Sequence, residues 1–256
     1  MSDTRIPRLF VEADLSAGAA VPLERQQRHY LVNVLRMKDG GVVAVFNGRD
    51  GEWRAELRRG GKDAALVAGE RTREQPEASG LALMFAPLRQ ARQDYVVQKA
   101  VELGAGRLLP VVCDHSQVRR VNSDRYRSNA IEAAEQCELI SIPDIAPLAP
   151  LAQAVEAWCS GDGARLVFGD EASHDTDPLD VLAGLAGDGP VCVLVGPEGG
   201  FSEAERRTLR AAGTPLPLGP RVMRADTAAV AALALVQAAL GDWRHEAPRW
   251  GGTARD

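Results

Sequence analysis

The stretch that most constrains the fold of this chain is residues 190–205, which combine a strand, a glycine-rich turn and a helix start. Residues 190–195 form a short apolar run rich in β-branched side chains, which predicts a core strand. Three glycines and a proline follow, and then Ser202 and Glu205 have the spacing of a helix capping box. No Gly-Lys-Ser/Thr follows the turn and Glu198 would repel a phosphate, so it is not a phosphate loop. The turn is either a place where backbone approaches a ligand or a tight connection without one.

A second stretch lies closer to the C-terminus. Residues 215–219 predict a short strand, 220–227 a loop, and 228–240 a helix with Gly241 as its cap. Residues 194–200 resemble the Leu-Ile-Gly-Pro-Glu-Gly-Gly motif of the RsmE family in the SPOUT superfamily. Residues 218–228 resemble its Leu-Gly-x-Arg-Ile/Val-Leu-Arg-Thr-Glu-Thr-Ala motif. The resemblance extends over nearly the whole chain.

The resemblance implies both a fold and an activity. The implied activity is that of an S-adenosyl-L-methionine-dependent 16S rRNA (uracil-N3)-methyltransferase, acting on a uridine of the decoding region of the small subunit. The implied α/β fold is a C-terminal SPOUT-type parallel sheet with a deep trefoil knot, preceded by a small PUA-like β-barrel domain that docks RNA. SPOUT enzymes are generally homodimers, so we expect a homodimer whose partner is small-subunit ribosomal RNA in the assembled subunit.

Composition and charge narrow the other possibilities. The chain has 256 residues, 45% of them apolar and 25% charged, which suits one large globular domain or two ordinary ones. It lacks both a long apolar run typical of a membrane span and the pattern of a secretory signal. Its four cysteines and four histidines are scattered, which predicts reduced thiols in a cytoplasm and no metal site.

The net charge of −5 argues against indiscriminate binding of nucleic acid. Residues 1–75 nevertheless hold 13 Lys and Arg against 11 Asp and Glu. That local excess of positive charge suits either an RNA-docking face or ordinary solvated charge.

Residues 1–75 predict the small β-rich domain. We expect strands at 9–11, 42–46 and 52–57, a helix at 24–36, and a polar linker at 70–80. Residues 5–10 and 29–37 resemble the opening and the His-x-x-x-Val-Leu-Arg element of the RsmE family. On this basis Arg8, Arg36 and Arg49 are expected RNA contacts, although each could equally be a surface arginine without a partner.

Residues 78–245 predict the methyltransferase domain, and residues 246–256 a loose polar tail. Apolar runs at 81–86, 108–112 and 165–168 alternate with helical patterns at 93–103, 126–139 and 151–159. This alternation indicates a largely parallel sheet with helices on both faces. The first strand is followed by no glycine, unlike an ordinary nucleotide-binding fold. Glycine-containing turns come instead after Phe168, Val195 and Leu218.

The cofactor pocket is expected in those three turns. Glycines give a ligand access to backbone hydrogen bonds, and apolar side chains form the walls around it. The residues that we place there are Phe168, Gly169, Leu194, Gly196, Pro197, Glu198, Gly199, Leu218, Gly219, Val222 and Met223.

Methylation of uracil N3 requires orientation of the reactants and stabilisation of the charge that spreads onto O2 and O4 as N3 loses its proton. Arg224 is our first choice for that electrostatic role. Arg221 is the runner-up and also an expected RNA contact. Asp226 or Glu198 would orient the arginine or take the proton. Alternatively, Asp226 is a helix N-cap, and Glu198 is a favourable charge near the start of the following helix.

Three departures from the family pattern concern substrate contacts. The family's Gly-Arg after the Glu-Gln-Ser/Cys motif is replaced at 138–141, and its Glu-Arg-Ser is Asp-His-Ser at 114–116. Two arginines that could face substrate are therefore missing. The Thr-Glu-Thr of the last loop is Ala-Asp-Thr at 225–227, which keeps a carboxylate and loses a hydroxyl.

Two other functions stay open beside the RsmE-like one. The chain could be a SPOUT methyltransferase with another RNA target, or a non-catalytic RNA-binding or ribosome-assembly factor that kept the fold. The helix at 228–240 is apolar all round, which predicts burial within the domain or close packing against a second subunit.

Overall fold

The computed structural model describes residues 6–60, 63–170, 176–187 and 189–244. The chain divides into two compact units. The first comprises the residues up to Ala78 together with Ile131–Ile142, and the second comprises Ser79–Ala130 and the residues from Pro143 onward. The sequence prediction treated the first domain as one continuous stretch, whereas the structure groups this later segment with it. The tail predicted at 246–256 lies outside the described residues.

The first unit is built around a five-stranded sheet. Its strands are β1 (Arg8–Phe10), β2 (Ala20–Pro22), β3 (Val42–Phe46), β4 (Glu52–Gly60) and β5 (Asp63–Arg73). Their order is β1-β3-β4-β5-β2, with β1 and β3 parallel and the other neighbours antiparallel. The small β-rich domain is confirmed, and β3 begins and ends where the sequence predicts.

The β3–β4 hairpin shows how these residues select a strand and a turn. Along β4, Leu57 is buried and Arg58 is exposed, because successive side chains point to opposite faces of the sheet. The Asn47 side chain stabilises the turn between the strands, because its Oδ1 accepts the N–H groups of Arg49 and Asp50 at 3.1 and 2.9 Å. Gly48 and Gly51 adopt φ values of 79° and 83°, a left-handed backbone that favours glycine.

The prediction did not include strands β2 and β5 of the first unit, and the linker and the helix also differ from it. The linker expected at 70–80 starts later, because β5 continues to Arg73 by pairing with β4. Strand pairing is made by main-chain groups, so it does not require an apolar pattern in the side chains. The sequence of this segment therefore gave no sign of a strand. The single helix expected at 24–36 is an α-helix, α1 (Arg25–His29), followed by a π-helix over Tyr30–Val34.

Arg8 is a structural residue of the first unit, which corrects its predicted role as an RNA contact. Its Nε and Nη2 groups donate to Glu52 Oε2 at 2.9 and 2.7 Å. Its remaining N–H groups donate to the carbonyl oxygens of Ala134, Glu135 and Leu139 at 2.9, 3.2 and 2.9 Å. All five guanidinium donors are thus used, and the side chain is only 9% exposed, so none is left for a phosphate.

The second unit contains the predicted parallel sheet. Its strands are β6 (Leu81–Phe85), β7 (Arg107–Val112), β8 (Asp144–Ile145), β9 (Ala149–Pro150), β10 (Arg165–Gly169), β11 (Val191–Val195) and β12 (Thr214–Leu216). The strand order is β12-β10-β11-β6-β7-β8, β9 also pairs with β7, and all the pairs are parallel. The central strands β6 and β11 are buried along their whole length, as parallel strands covered on both faces must be. The parallel sheet is confirmed, and the knot stays a prediction.

The helices follow the sheet strands. They are α2 (Gln90–Glu102), α3 (Ser123–Gln136), α4 (Leu151–Cys159), α5 (Pro178–Ala183), α6 (Glu203–Ala212) and α7 (Ala225–Leu240), with a short 3-10 turn at Asp242–Arg244. The end of α3, from Ile131, belongs to the first unit. Among the described residues, no helix combines the length and the apolar character that crossing a membrane requires.

Helix α7 is apolar on all sides, but it is buried on one face only. It starts at Ala225, three residues earlier than predicted, and Gly241 is its C-cap as predicted. Ala229, Leu233 and Val236 are buried on one face. The opposite face, which carries Ala228, Ala231, Leu235 and Ala238, stays partly or fully exposed. The helix therefore leaves an apolar stripe of mostly small residues uncovered.

Candidate active site

Three loops leave the same edge of the sheet in the second unit. Strands β12, β10 and β11 are adjacent and parallel, so their carboxyl ends lie side by side. A side-chain Cβ built on Gly169, at the end of β10, would lie 3.9 Å from Leu218 Cδ1 in the loop after β12. Ligands bind parallel α/β sheets at this edge. The structure thus brings together the three turns in which the sequence predicts the cofactor pocket.

The glycine loop, residues 196–201 after β11, is closely packed. A Cβ on Gly196 would lie 2.8 Å from Phe201 Cζ, so the ring occupies the space that any side chain would need. Phe201 is buried and meets Phe168 edge-on, with ring centroids 6.4 Å apart. The Gly200 N–H donates to the Pro197 carbonyl at 2.9 Å, which closes a turn with exposed corners at 198 and 199.

The helix after this loop starts as predicted. Ser202 is the N-cap of α6, and its Oγ accepts the Glu205 N–H at 3.3 Å. The Glu205 carboxylate in turn accepts the Ser202 N–H at 2.8 Å. This reciprocal pair confirms the capping box and fixes the end of the glycine loop.

A buried carboxylate, which sequence reasoning missed, joins two of the loops. Asp170 follows β10 directly and is 3% exposed. It pairs with Arg206, and with Arg210 at 3.0 Å, both on α6. Arg206 also donates from Nε to the Phe201 carbonyl at 3.3 Å. The only sequence signal was an aspartate placed directly after a strand-ending glycine.

Several predicted pocket residues lie beneath the loops. Phe168 and Leu194 are completely buried, and Pro197 is buried as well, so their side chains form the floor of the site.

Cys113, directly after β7, is also buried, and burial raises the pKa of its thiol to about 12. At neutral pH that thiol is therefore protonated and is not a nucleophile.

The final loop, residues 217–224 after β12, is much more open. Gly219 has φ 85°, and apart from its two chain neighbours no described residue has an atom within 4 Å of a Cβ built there. Val222 is 96% exposed, so its predicted place in a pocket wall stays a prediction. Met223 is half-buried, and Arg221 is exposed.

The three predicted catalytic residues occupy different positions. Arg224 is the exposed N-cap residue of α7, and no bond from the described part of the chain holds its guanidinium. Asp226 is not the N-cap but lies in the first helical turn, where Oδ1 accepts the Thr227 N–H at 2.9 Å. Its Oδ2 lies 3.9 Å from Arg92 Nε. Glu198 is exposed at the corner of the glycine loop.

Within the described residues, no cluster of three or more His, Cys, Asp and Glu side chains could hold a metal ion. The site is thus made of backbone, apolar walls, arginines and carboxylates. That set suits an organic ligand with a charged centre, held chiefly through backbone groups.

Comparison with known proteins agrees with this geometry. Residues 75–237 match the family model described as RNA methyltransferase domain, and residues 23–68 match the RNA methyltransferase PUA domain. The ribosomal RNA small subunit methyltransferase E of Rickettsia conorii is 27% identical over 234 residues, covering 90% of this chain and 94% of the relative. That of Bacillus subtilis is 26% identical over 245 residues, covering 90% and 95%.

Among solved structures, a ribosomal RNA small subunit methyltransferase E from Neisseria gonorrhoeae bound to S-adenosyl methionine aligns with a TM-score of 0.79. It is 26% identical and covers 93% of this chain and 100% of its own. The three loops lie within residues 75–237, which match the RNA methyltransferase domain model. That match covers more than half of the chain. On these grounds the chain belongs to the RNA methyltransferase family, with a PUA domain ahead of the methyltransferase domain.

Proposed function

We propose that this chain is an S-adenosylmethionine-dependent 16S rRNA (uracil-N3)-methyltransferase acting on a uridine of the decoding region. The observation that carries the proposal is the convergence of three glycine-containing loops at the carboxyl edge of β12, β10 and β11. The relatives are named as small-subunit ribosomal RNA methyltransferases, and the Neisseria structure holds S-adenosyl methionine.

The residues of the loops fit this cofactor, which supplies an electrophilic methyl group on a positively charged sulfur. Gly199 and Gly219 expose backbone that a ligand can approach, and Gly219 has open space where a side chain would stand. Leu218 and Met223 offer partly buried apolar surface for a flat ring. The packed ring of Phe201 keeps the glycine loop in shape from beneath.

Arg224 is proposed as the electrostatic residue. Its guanidinium stays protonated, so it cannot act as the base. It is exposed beside the pocket and is free of partners in the described part of the chain. A cation in that position stabilises the charge that develops on O2 and O4 as the uracil N3 is deprotonated.

Glu198 is the proposed proton acceptor, and Asp226 the proposed orienting carboxylate. Asp226 already accepts the Thr227 N–H and lies beside Arg92. Glu198 stands exposed at the loop corner, with its carboxylate available to substrate. Glu198→Gln should slow methylation by about 10²–10³-fold with little change in cofactor affinity. An equal effect of Asp226→Asn with none from Glu198→Gln would exchange the two roles.

RNA docking is proposed on the basic segment, residues 25–38 of the first unit. It carries four Lys and Arg and no acidic residue. Tyr30, Val34 and Leu35 are 42%, 58% and 40% exposed within it, so apolar surface is presented between cations. Exposed aromatic rings beside arginines bind unpaired bases by stacking. Arg36 has φ 51° and an exposed side chain, which makes it the leading phosphate contact.

Arg49 is a weaker candidate than Arg36, because Nη2 is 2.7 Å from Asp14 Oδ1 and 2.8 Å from the Glu12 carbonyl.

Point variants test the basic segment better than deletion of the first unit, since Arg8 anchors residues 134–139 there. Tyr30→Ala should weaken RNA binding by about 1–3 kcal/mol, whereas Tyr30→Phe should retain it. Arg36→Gly removes the guanidinium without backbone strain and should lower the salt dependence of binding by about one phosphate contact. Unchanged RNA binding by Tyr30→Ala would remove this segment from the docking face.

A homodimer is proposed through the uncovered face of α7. The stripe of small apolar residues there would be buried by a second copy. We further propose the assembled small subunit as substrate and the cytoplasm as the compartment. The cysteines in the described chain are free thiols, which fits a reducing environment.

Mass spectrometry of modified nucleosides tests the proposed function directly. Small-subunit RNA from a deletion strain should lack N3-methyluridine at one position, and the purified protein should restore it on assembled subunits. Loss of a different methylated nucleoside would favour another RNA target. Absence of S-adenosylmethionine binding in calorimetry would favour a non-catalytic RNA-binding factor.

A further inference from the structure

The turn after β7 (the β7 turn, residues 113–116) is bonded to the glycine loop through His115. The Nδ1 atom of His115 lies 3.0 Å from the Gly199 carbonyl oxygen and 3.1 Å from the Gly200 carbonyl oxygen. Both partners are acceptors, so Nδ1 carries the hydrogen and donates to both. The neutral ring in this tautomer and the protonated ring make the same contact.

The two sides of this contact are matched in shape. A Cβ on Gly199 would lie 3.0 Å from His115 Cβ, which is tighter than most real contacts. The absence of a side chain at 199 therefore allows the imidazole to approach the backbone. Gly200, the second residue in the contact, has φ 69°, a left-handed backbone that favours glycine.

Further bonds hold the same turn against the start of α6. The Asp114 N–H donates to Glu205 Oε1 at 2.8 Å, and the Ser202 hydroxyl donates to Asp114 Oδ2 at 2.6 Å. Inside the turn, the Cys113 N–H donates to the buried Ser116 hydroxyl at 2.9 Å. The turn is thus a fixed platform, and His115 extends from it to the middle of the glycine loop.

We propose that His115 is a positioning residue that holds the glycine loop in its cofactor-binding shape. The inference rests on the proposed cofactor site. By fixing the carbonyl groups of Gly199 and Gly200, the imidazole sets the two peptide planes next to the exposed corner at Glu198. The sequence comparison registered this position only as a missing arginine, whereas the structure shows that histidine makes a contact of its own.

The test uses two variants that separate the ring from its donor. His115→Phe keeps a flat ring and loses the N–H, whereas His115→Asn loses the ring and keeps an N–H close to the Nδ1 position. We expect His115→Phe to raise Kd and KM for S-adenosylmethionine about tenfold, the value of one lost hydrogen bond that positions a ligand loop. The kcat at saturating cofactor should stay within about twofold of wild type. His115→Asn should recover most of the affinity, because its amide N–H replaces the lost donor.

Calorimetric titration of the full-length variants, with thermal unfolding in parallel, gives the decisive results. Wild-type affinity in His115→Phe would overturn the inference while leaving the proposed function intact. Equal losses in His115→Phe and His115→Asn would also overturn it, because the donor would then not matter. Failure of the wild-type protein to bind S-adenosylmethionine would overturn the proposed function and this inference together.

Discussion

The glycine loop and the final loop leave the same sheet edge, yet they are held very differently. The glycine loop has the Phe201 ring beneath it and hydrogen bonds from His115 and Arg206. In the final loop, open space surrounds the position of a Cβ on Gly219 among the described residues, and Val222 is almost completely exposed. The contrast continues into the helices that follow, because α6 starts with a capping box and α7 starts without a side-chain cap.

The difference indicates two kinds of binding surface in one site. The glycine loop is preformed, so a ligand that meets it loses little free energy in ordering the loop. The final loop makes few contacts and is where we expect ordering when ligand binds. Four substitutions test this contrast.

Asp170→Ala should have the largest effect, because it removes the anchor beneath the preformed loop. Its side chain is completely buried between Arg206 and Arg210, and removal takes away its ion pairs with both, including that with Arg206, which is only 13% exposed. We expect a loss of about 3–5 kcal/mol in the free energy of unfolding, measured by urea denaturation. Arg210→Ala is the control and should lose about 1 kcal/mol or less, since that side chain is 54% exposed. Similar losses in the two variants would show that Asp170 is no anchor.

Arg224→Ala tests the chemical role of the open loop. An interaction made only in the transition state lowers the rate without weakening ground-state binding. Single-turnover methylation of assembled subunits should slow by about 10²–10³-fold, with near-normal cofactor affinity. Arg224→Lys should restore little, because a point charge lacks the planar fork, and Arg221→Ala should be milder. Loss of cofactor binding in Arg224→Ala would assign the residue to the pocket instead, and full turnover would move Arg221 forward.

Gly196→Val should abolish S-adenosylmethionine binding. The structure adds a cost in stability, because the new side chain meets the Phe201 ring. We expect about 1–3 kcal/mol less stability from this overpacking. Gly196→Ala combined with Phe201→Leu makes room for the methyl group and separates the two effects. Tight cofactor binding by a folded Gly196→Val variant would place the site elsewhere.

Gly219→Ala should have the smallest effect. The position has space for a methyl group, so only the left-handed backbone resists it, at about 1 kcal/mol. Hydrogen exchange should show cofactor protecting the final loop more than the glycine loop. Stronger protection of the glycine loop would mean that the rigid and adaptable roles are reversed.

Sequence reasoning was most successful where local chemistry decides the structure. Helix α4 and strand β3 have the predicted bounds, and the capping box of Ser202 and Glu205 is confirmed. Each of these features depends on residues within a few positions of one another, whose hydrogen bonds or periodicity are readable along the chain. The order of strands and glycine turns also led correctly to the three converging loops.

Sequence reasoning failed where a residue's partner lies far away in the chain. Arg8 was expected to be an RNA contact or a surface arginine without a partner, but its acceptors include carbonyl groups more than 120 residues away. Glu138, just after the end of α3, has φ 60°. Glutamate rarely adopts this left-handed backbone, so the sequence gave no reason to expect it. The continuation of β5 to Arg73 depends on pairing with β4 rather than on its own composition.

By itself, then, the sequence determined the strands and helices with clear apolar patterns, the glycine turns in which we place the cofactor site, and the family to which the chain belongs. These follow from periodicity, capping and motif spacing, all of which are local. Only the tertiary structure decided which arginines are free, which carboxylate anchors the loops, and that His115 holds the glycine loop. Those facts depend on burial and on hydrogen bonds between distant segments, and such contacts exist only once the chain has folded.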